Sequence, residues 1–266
     1  MDLLYLKHRM VGTPLESLAE SGRGLRNWWR RWRRPELREI CLEEGRIQRA
    51  MQRLLQPDSN CIDVGAHIGS TLALIRSLAP CGEHWAFEAI DEKAAWLRRK
   101  FPSVHVRQLA LSDAPGTVDF HINLSRPGFS GVGLRQDKRR SAPDQWRIVT
   151  VPTARLDDVI PTSYRLDFLK IDVEGGEARV LRGARRLLTR CRPAVLFESS
   201  PGNARRSGIS HAELFNVLAE NGYEVFLLRS FLTSGPPLDL AGFEAAQRYP
   251  FSAFNFLALP AHGSGR

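Results

Sequence analysis

From about residue 58 to residue 259, short apolar runs alternate with stretches whose apolar positions recur every three or four residues. That alternation predicts strands each followed by a helix, hence an α/β fold built on a parallel sheet. A buried strand is expected at 60–64, with a helix from Ser70 that carries Leu72, Leu74, Ile75 and Leu78. A second strand, 84–87, ends at Glu88 and leads to a helix over 91–100, and a third strand spans 104–111. The apolar run 168–173 is the fourth core strand, followed by a helix with Ala178, Val180, Leu181 and Ala184 on one side. Beyond Glu198, residues 211–221 read as an amphipathic helix bearing Leu214, Phe215, Val217 and Leu218, and 223–228 and 254–259 read as two further strands.

The excursion between the third and fourth core strands breaks this rhythm. Residues 117–124 alternate as a strand, 126–143 are polar and contain glycine, and 147–151 read as a returning strand. A hairpin inserted there hangs over the carboxyl edge of the sheet, as a lid or substrate-selecting flap, or else covers an edge strand.

Strand ends carry the candidate chemistry. In open α/β sheets ligands bind beyond the carboxyl ends of the strands. Asp172, Glu174 and Glu177 surround the turn after the fourth strand, with Lys170 alternating with Asp172 along it. Upstream, Asp63-Val64-Gly65-Ala66-His67-Ile68-Gly69 is a second glycine-bearing turn, in which Gly65 allows close backbone approach and Gly69 lets the next helix pack. The G-x-G-x-x-G dinucleotide fingerprint is absent. Glu88 ends the second strand about twenty residues past the glycine turn, which is where an acid hydrogen-bonds a ribose diol. As an alternative it caps the helix after it.

The segments DVGAHIG, FEAIDE, LALSDAPGTVDF, VPTARLDDVI, FLKIDVEGGEARVLRGA and AVLFESSPGN occur in the order seen in FkbM-type S-adenosylmethionine-dependent methyltransferases, which this chain resembles over roughly 58–259. GTPLE at 12–16 is similar to the start of bacterial members, whereas His67 stands where the family more often has asparagine. The resemblance implies a class I methyltransferase (Rossmann-like) fold: a seven-stranded, mostly parallel sheet with helices on both faces and an antiparallel edge pair. It implies S-adenosyl-L-methionine as cofactor and a hydroxyl of a sugar, glycan or natural product as acceptor. On that basis Asp63, Gly65, His67 and Gly69 are assigned to the methionine end of the cofactor, Glu88 to its ribose, and Ala110, Ser112 and Asp113 to its adenine. Asp172 and Glu174 face the methyl group and the acceptor as the catalytic pair, with His67 as an alternative base. Asp172, Glu174 and Glu198 have the chemistry of a divalent-cation site, but no metal is expected, since strand-end carboxylates commonly lack one.

Composition adds the partners. The chain has 266 residues, 43% hydrophobic and 25% charged, with a formal net charge of +9. Residues 1–56 read as a basic helical extension and 57–266 as the methyltransferase domain. The densest basic cluster, 26–34, interleaves Trp28, Trp29 and Trp32 with arginines. Such a segment packs on its own domain, lies on an anionic membrane surface or meets nucleic acid. Against RNA-base methylation, the chain lacks both an Asn/Asp-Pro-Pro-aromatic motif and a Pro-Cys nucleophile. RNA ribose methylation and a non-catalytic cofactor-binding module stay as alternatives. Cys41, Cys61, Cys81 and Cys191 form no C-x-x-C pair, and the N-terminus carries no apolar leader, so reduced thiols and a cytoplasmic location are expected. The tail 262–266 is expected to be disordered.

Overall fold

The computed structural model describes residues 38–123, 131–132 and 146–261. The Arg/Trp cluster, the tip of the inserted hairpin and the C-terminal tail therefore lie outside the described residues.

The strands, in chain order, are β1 (Cys61–Val64), β2 (His84–Glu88), β3 (His105–Gln108), β4 (Ala110–Leu111), β5 (Gly116–Asn123), β6 (Gly131–Val132), β7 (Trp146–Ala154), β8 (Phe168–Ile171), β9 (Ala194–Glu198), β10 (Tyr223–Leu227) and β11 (Asn255–Pro260). Seven of them form one sheet in the order β10-β11-β9-β8-β1-β2-β3. All neighbours are parallel except β11, which runs antiparallel to both β10 and β9. This is the class I methyltransferase architecture.

Strand burial explains the apolar runs. β1, β2 and β8 are buried at every position because helices cover both faces, so their sequences do not alternate. On one face Ile62, Val64, Leu169, Ile171, Val195 and Phe197 pack with the apolar sides of helices Glu177–Arg182, Arg185–Cys191 and His211–Glu220. On the other, Cys61, Phe168 and Leu196 meet Ile75 of helix Ser70–Leu78 together with Ala50 and Met51 of helix Glu43–Leu54. In that last helix Ile47, Ala50, Met51 and Leu54 follow helical spacing, and all four join this cluster. Glu43 at its start accepts hydrogen bonds from the backbone N–H groups of Phe254 (2.7 Å) and Asn255 (2.9 Å). This part of the expected N-terminal extension is thus packed into the domain.

The expected third strand differs from the structure in a way that matters for the site. It is two strands: β3 closes the main sheet, and β4 leaves it to pair in parallel with β7 at Thr153 and Ala154. β3 is the edge strand of the main sheet among the described residues; the Leu109 N–H still donates to the Glu88 carbonyl of β2 at 3.2 Å, but after that the main sheet no longer pairs with the chain. The stem of the inserted hairpin, β5 with β7, does so instead, in a second sheet of order β4-β7-β5-β6. Among the described residues no helix is long and apolar enough to cross a membrane.

Candidate active site

Strand order reverses between β1 and β8: the chain steps outward through β2 and β3 on one side and through β9 on the other. A crevice at the carboxyl ends is expected at such a switch point. A cavity of about 580 Å³ lies there. Gly65, His67, Glu88, Ala110, Ser112, Asp172 and Glu174 all line it, bringing the ends of β1, β2 and β8 and the β3–β4 junction to one place. Gly116, Thr117, Val118 and Phe120 of β5 form a wall of the same cavity, which is where the inserted hairpin acts.

Three sequence-assigned residues are not on that lining. Asp63 is fully buried in the middle of β1, on the face that carries Cys61, and it pairs in register with Lys170 of β8. The Lys170 Nζ lies 3.3 Å from Asp63 Oδ1 and 3.4 Å from Asp172 Oδ2, and donates to the Gly65 carbonyl at 3.0 Å. Asp63 is therefore a support beneath the cavity floor. Gly69 serves packing: a Cβ there would come within 2.5 Å of the Phe101 ring and 2.8 Å of Leu97. Asp113 is exposed and accepts from the Ser112 hydroxyl at 3.1 Å, because the chain has already turned away from the cavity toward β5.

The glycine turn is closed by its neighbours. Gly65 has φ +76, and a Cβ on it would sit 1.8 Å from the Asp172 carbonyl oxygen, so the β1 and β8 turns touch backbone to backbone. His67 is also left-handed, φ 51, a conformation in which histidine and asparagine are both enriched. Its backbone N–H donates to Glu88 Oε2 at 2.8 Å, while Ile90 N–H donates to Oε1 at 2.9 Å. Burial raises the Glu88 pKa against these hydrogen bonds. Each oxygen keeps a second lone pair for a ligand hydroxyl.

Around the β8 turn the charges are arranged in layers. Burial alone would push the Lys170 ammonium down, but Asp63 and Asp172 outweigh it and keep it charged. Burial also works against ionised Asp172, and here the nearby Lys170 and a hydrogen bond with Glu198 hold its carboxyl below the usual range. Glu198 is pushed well above its ordinary value by burial and then by the charges of Asp172 and Glu174. Of the two, Glu198 is thus the more readily protonated and Asp172 the more readily charged. The Asp172 side chain is 40% exposed, into the cavity. Asp172, Glu174 and Glu198 each bring an oxygen within 4.8 Å of the others, a spacing that can also hold a divalent cation.

Glu174 and Gly175 are left-handed, φ 58 and 113, and the first of these is costly for a non-glycine residue. The turn is held by Glu177, whose Oε1 accepts from Val173 N–H (3.1 Å) and Gly175 N–H (3.0 Å). Burial pushes the Glu177 pKa up to about 7. A folded-state value above the ordinary 4.5 means that the associated stability is complete below that pH and is lost as pH rises through about 7. Glu177→Gln is expected to remove roughly 2.5 kcal/mol of this decline, read as the difference between mutant and wild-type urea stabilities at pH 5 and pH 8. Parallel pH dependences in the two proteins would show that Glu177 does not titrate in this range.

Residues 63–225, more than half of the chain, match the Methyltransferase FkbM domain family. The chain belongs to the FkbM methyltransferase family. It is 30% identical over 162 residues to the 2-O-methyltransferase NoeI of Sinorhizobium fredii, covering 55% of this chain and 66% of that relative. It is 28% identical over 223 residues to the AMB antimetabolite synthetase AmbE of Pseudomonas aeruginosa, covering 68% of this chain but 10% of that one. Among solved structures, a methyltransferase FkbM from Methylobacillus flagellatus aligns with TM-score 0.48 and 16% identity, over 77% of this chain and 44% of the other. The cofactor of this family's fold is S-adenosylmethionine.

The FkbM cavity suits that cofactor by its donor set. It offers a left-handed glycine turn where backbone can approach a ligand, a buried carboxylate with free lone pairs for a diol, and an apolar slot made by Ile90, Leu109, Ala110 and Leu111. Sequence reasoning missed Lys93, a buried lysine on the lining. Burial lowers its pKa, while nearby Glu88 and Glu174 act against that. In the sequence it is one charge in the first turns of a charged helix, and no local signal turns it inward. Lys170 was noted for its alternation with Asp172, but its pairing with Asp63 needs the β1–β8 register.

Proposed function

We propose that this protein transfers the methyl group of S-adenosylmethionine to a hydroxyl of a sugar, glycan or natural product. One observation carries this: a cavity-facing carboxylate, Asp172, whose surroundings favour its charged form, stands at the switch point directly beside the glycine turn that would receive the cofactor. Similarity to a protein named as a 2-O-methyltransferase supports a hydroxyl oxygen as the acceptor atom.

When bound, the cofactor supplies a methyl group already activated on a sulfonium sulfur. The turn from Gly65 to Ile68 would hold its methionine end, Glu88 its ribose hydroxyls, and Leu109 to Ser112 its adenine. Asp172 accepts a hydrogen bond from the acceptor hydroxyl, fixes the direction of its lone pair, and takes its proton as the oxygen attacks. Glu174 flanks the hydroxyl, and Glu198, the more readily protonated partner, hydrogen-bonds Asp172 and favours its charged form before transfer. Lys170 and the β1–β8 contact hold Asp172 in register with the cofactor turn. In this proposal the carboxylates, rather than a metal ion, meet the hydroxyl. The four cysteines are unpaired thiols, in keeping with action in a reducing cytoplasm. The proposed division stays a basic extension at 1–56 followed by a catalytic domain at 57–266, with helix Glu43–Leu54 docked on the latter.

Adding S-adenosylmethionine or its demethylated product at about a hundred times the dissociation constant should stabilise the fold by roughly 2.7 kcal/mol, visible as a raised melting temperature. NAD should give no shift. The reverse pattern would remove the cofactor assignment and the function with it. Transfer itself is read by mass spectrometry, as the gain of one methyl group in a metabolite pool incubated with labelled donor.

A further inference from the structure

Three cations line the cavity: Lys93, Lys170 and Arg179. Lys170 is engaged by Asp63 and Asp172, and Lys93 stands against Glu88 and Glu174. Arg179 is different. It is exposed at the mouth, in helix Glu177–Arg182, and among the described residues its guanidinium meets no carboxylate or carbonyl. Nearby arginines do find partners: Arg182 binds Glu213 at 2.6 Å, and Arg155 binds Asp158 through two nitrogens at 2.8 and 3.0 Å.

A second donor lies close by. Ser207 also lines the cavity, and its hydroxyl oxygen accepts from Ile209 N–H at 3.2 Å, which leaves the hydroxyl hydrogen for another acceptor. A Cβ on Gly175 would lie 2.8 Å from the Ser207 Cβ, so this serine is packed onto the β8 turn itself. Sheet order places the pair. Arg179 follows β8 and Ser207 follows β9, while Glu88 ends β2 and Ser112 follows β4, on the other side of β1. Arg179 and Ser207 therefore sit on the acceptor side of the cavity.

Resting on the methyl transfer proposed above, we propose that the acceptor carries an oxyanion, a carboxylate or phosphate, which Arg179 and Ser207 bind while Asp172 meets the hydroxyl to be methylated. The chemistry is complementary. Asp172 and Glu174 make the mouth repellent to an anion unless a cation offsets them, and a guanidinium fork matches a carboxylate or phosphate through two parallel hydrogen bonds. A neutral alcohol would gain nothing from it. The cofactor's own carboxylate is the other possible source of that oxyanion, and the test separates the two.

A metabolite extract is split by anion exchange into a retained and a flow-through pool, and each is incubated with the full chain and labelled methyl donor. Label is expected in the retained pool. With the labelled acceptor purified from it, Arg179→Gln should raise KM about 10- to 100-fold with a smaller change in kcat, as loss of a charge-assisted pair implies. Arg179→Lys should recover part of the loss. Calorimetric affinity for S-adenosylhomocysteine should stay within about twofold of wild type, since binding of the cofactor is a separate event. Label confined to the flow-through pool, or an unchanged KM in Arg179→Gln, overturns the proposal while leaving methyl transfer intact. So does a loss of S-adenosylhomocysteine affinity with KM unaffected, which would assign the oxyanion to the cofactor. No label in either pool counts against methyl transfer itself, and against this proposal with it.

Discussion

Asp172→Ala is expected to lower turnover by about two to four orders of magnitude while S-adenosylhomocysteine still binds. The side chain removed is the one that lies open to the cavity and whose charged form Lys170 and Glu198 favour. Without it, Glu198 loses the charge that helps hold its proton, and the acceptor hydroxyl loses both its alignment and its proton acceptor. The backbone of the turn should be unaffected, because Asp172 N–H is bound by the Val64 carbonyl at 3.0 Å and the Glu177 clasp lies further along. Asp172→Asn is the sharper variant: it keeps size and hydrogen-bonding capacity but cannot accept the proton. Both should fail in kcat more than in cofactor affinity, as measured by steady-state kinetics beside calorimetry. Full activity in both variants would take Asp172 out of the chemistry.

The largest stability effect belongs to a residue with no assigned chemical step. Lys170→Met leaves Asp63 fully buried with no cation and the Gly65 carbonyl without its donor. Breaking such a buried pair by removing one partner costs about 3 to 5 kcal/mol. Burial already raises the Asp63 pKa, and loss of Lys170 raises it further. A raised folded-state value means the stability it carries is complete at acid pH and is lost as pH rises, so the variant should be more damaged at pH 8 than at pH 5. Adding Asp63→Asn to Lys170→Met should recover much of the loss, since no isolated charge is then buried. Urea unfolding of the single and double variants decides this. A double variant no more stable than Lys170→Met would show that the pair is not what the lysine serves.

The acids and glycines at strand ends were legible in the sequence because their signals are local. A run of apolar residues stops, a glycine or acid follows, and a helical period begins. Gly65, Glu88, Asp172 and Glu174 lie on one cavity as that pattern implies. Asp63 is off the cavity lining, and the sequence hides this for a physical reason. In a parallel strand covered on both faces, alternation carries no information about which side chain reaches the ligand. The break between β3 and β4 was equally invisible, since it depends on where the edge strand runs out of neighbours.

By itself the sequence determined the alternation of core strands and helices and the positions of the two glycine- and acid-bearing turns, which depend on contacts within a few residues of each other. The cofactor class came from the resemblance to a known family. Only the tertiary structure decided which charges meet: Lys170 with Asp63 and Asp172, Glu198 with Asp172, Lys93 between Glu88 and Glu174, and Arg179 with no acceptor among the described residues. Those pairings depend on strand register and on the reversal of strand order between β1 and β8, which bring residues more than a hundred positions apart to within hydrogen-bonding reach.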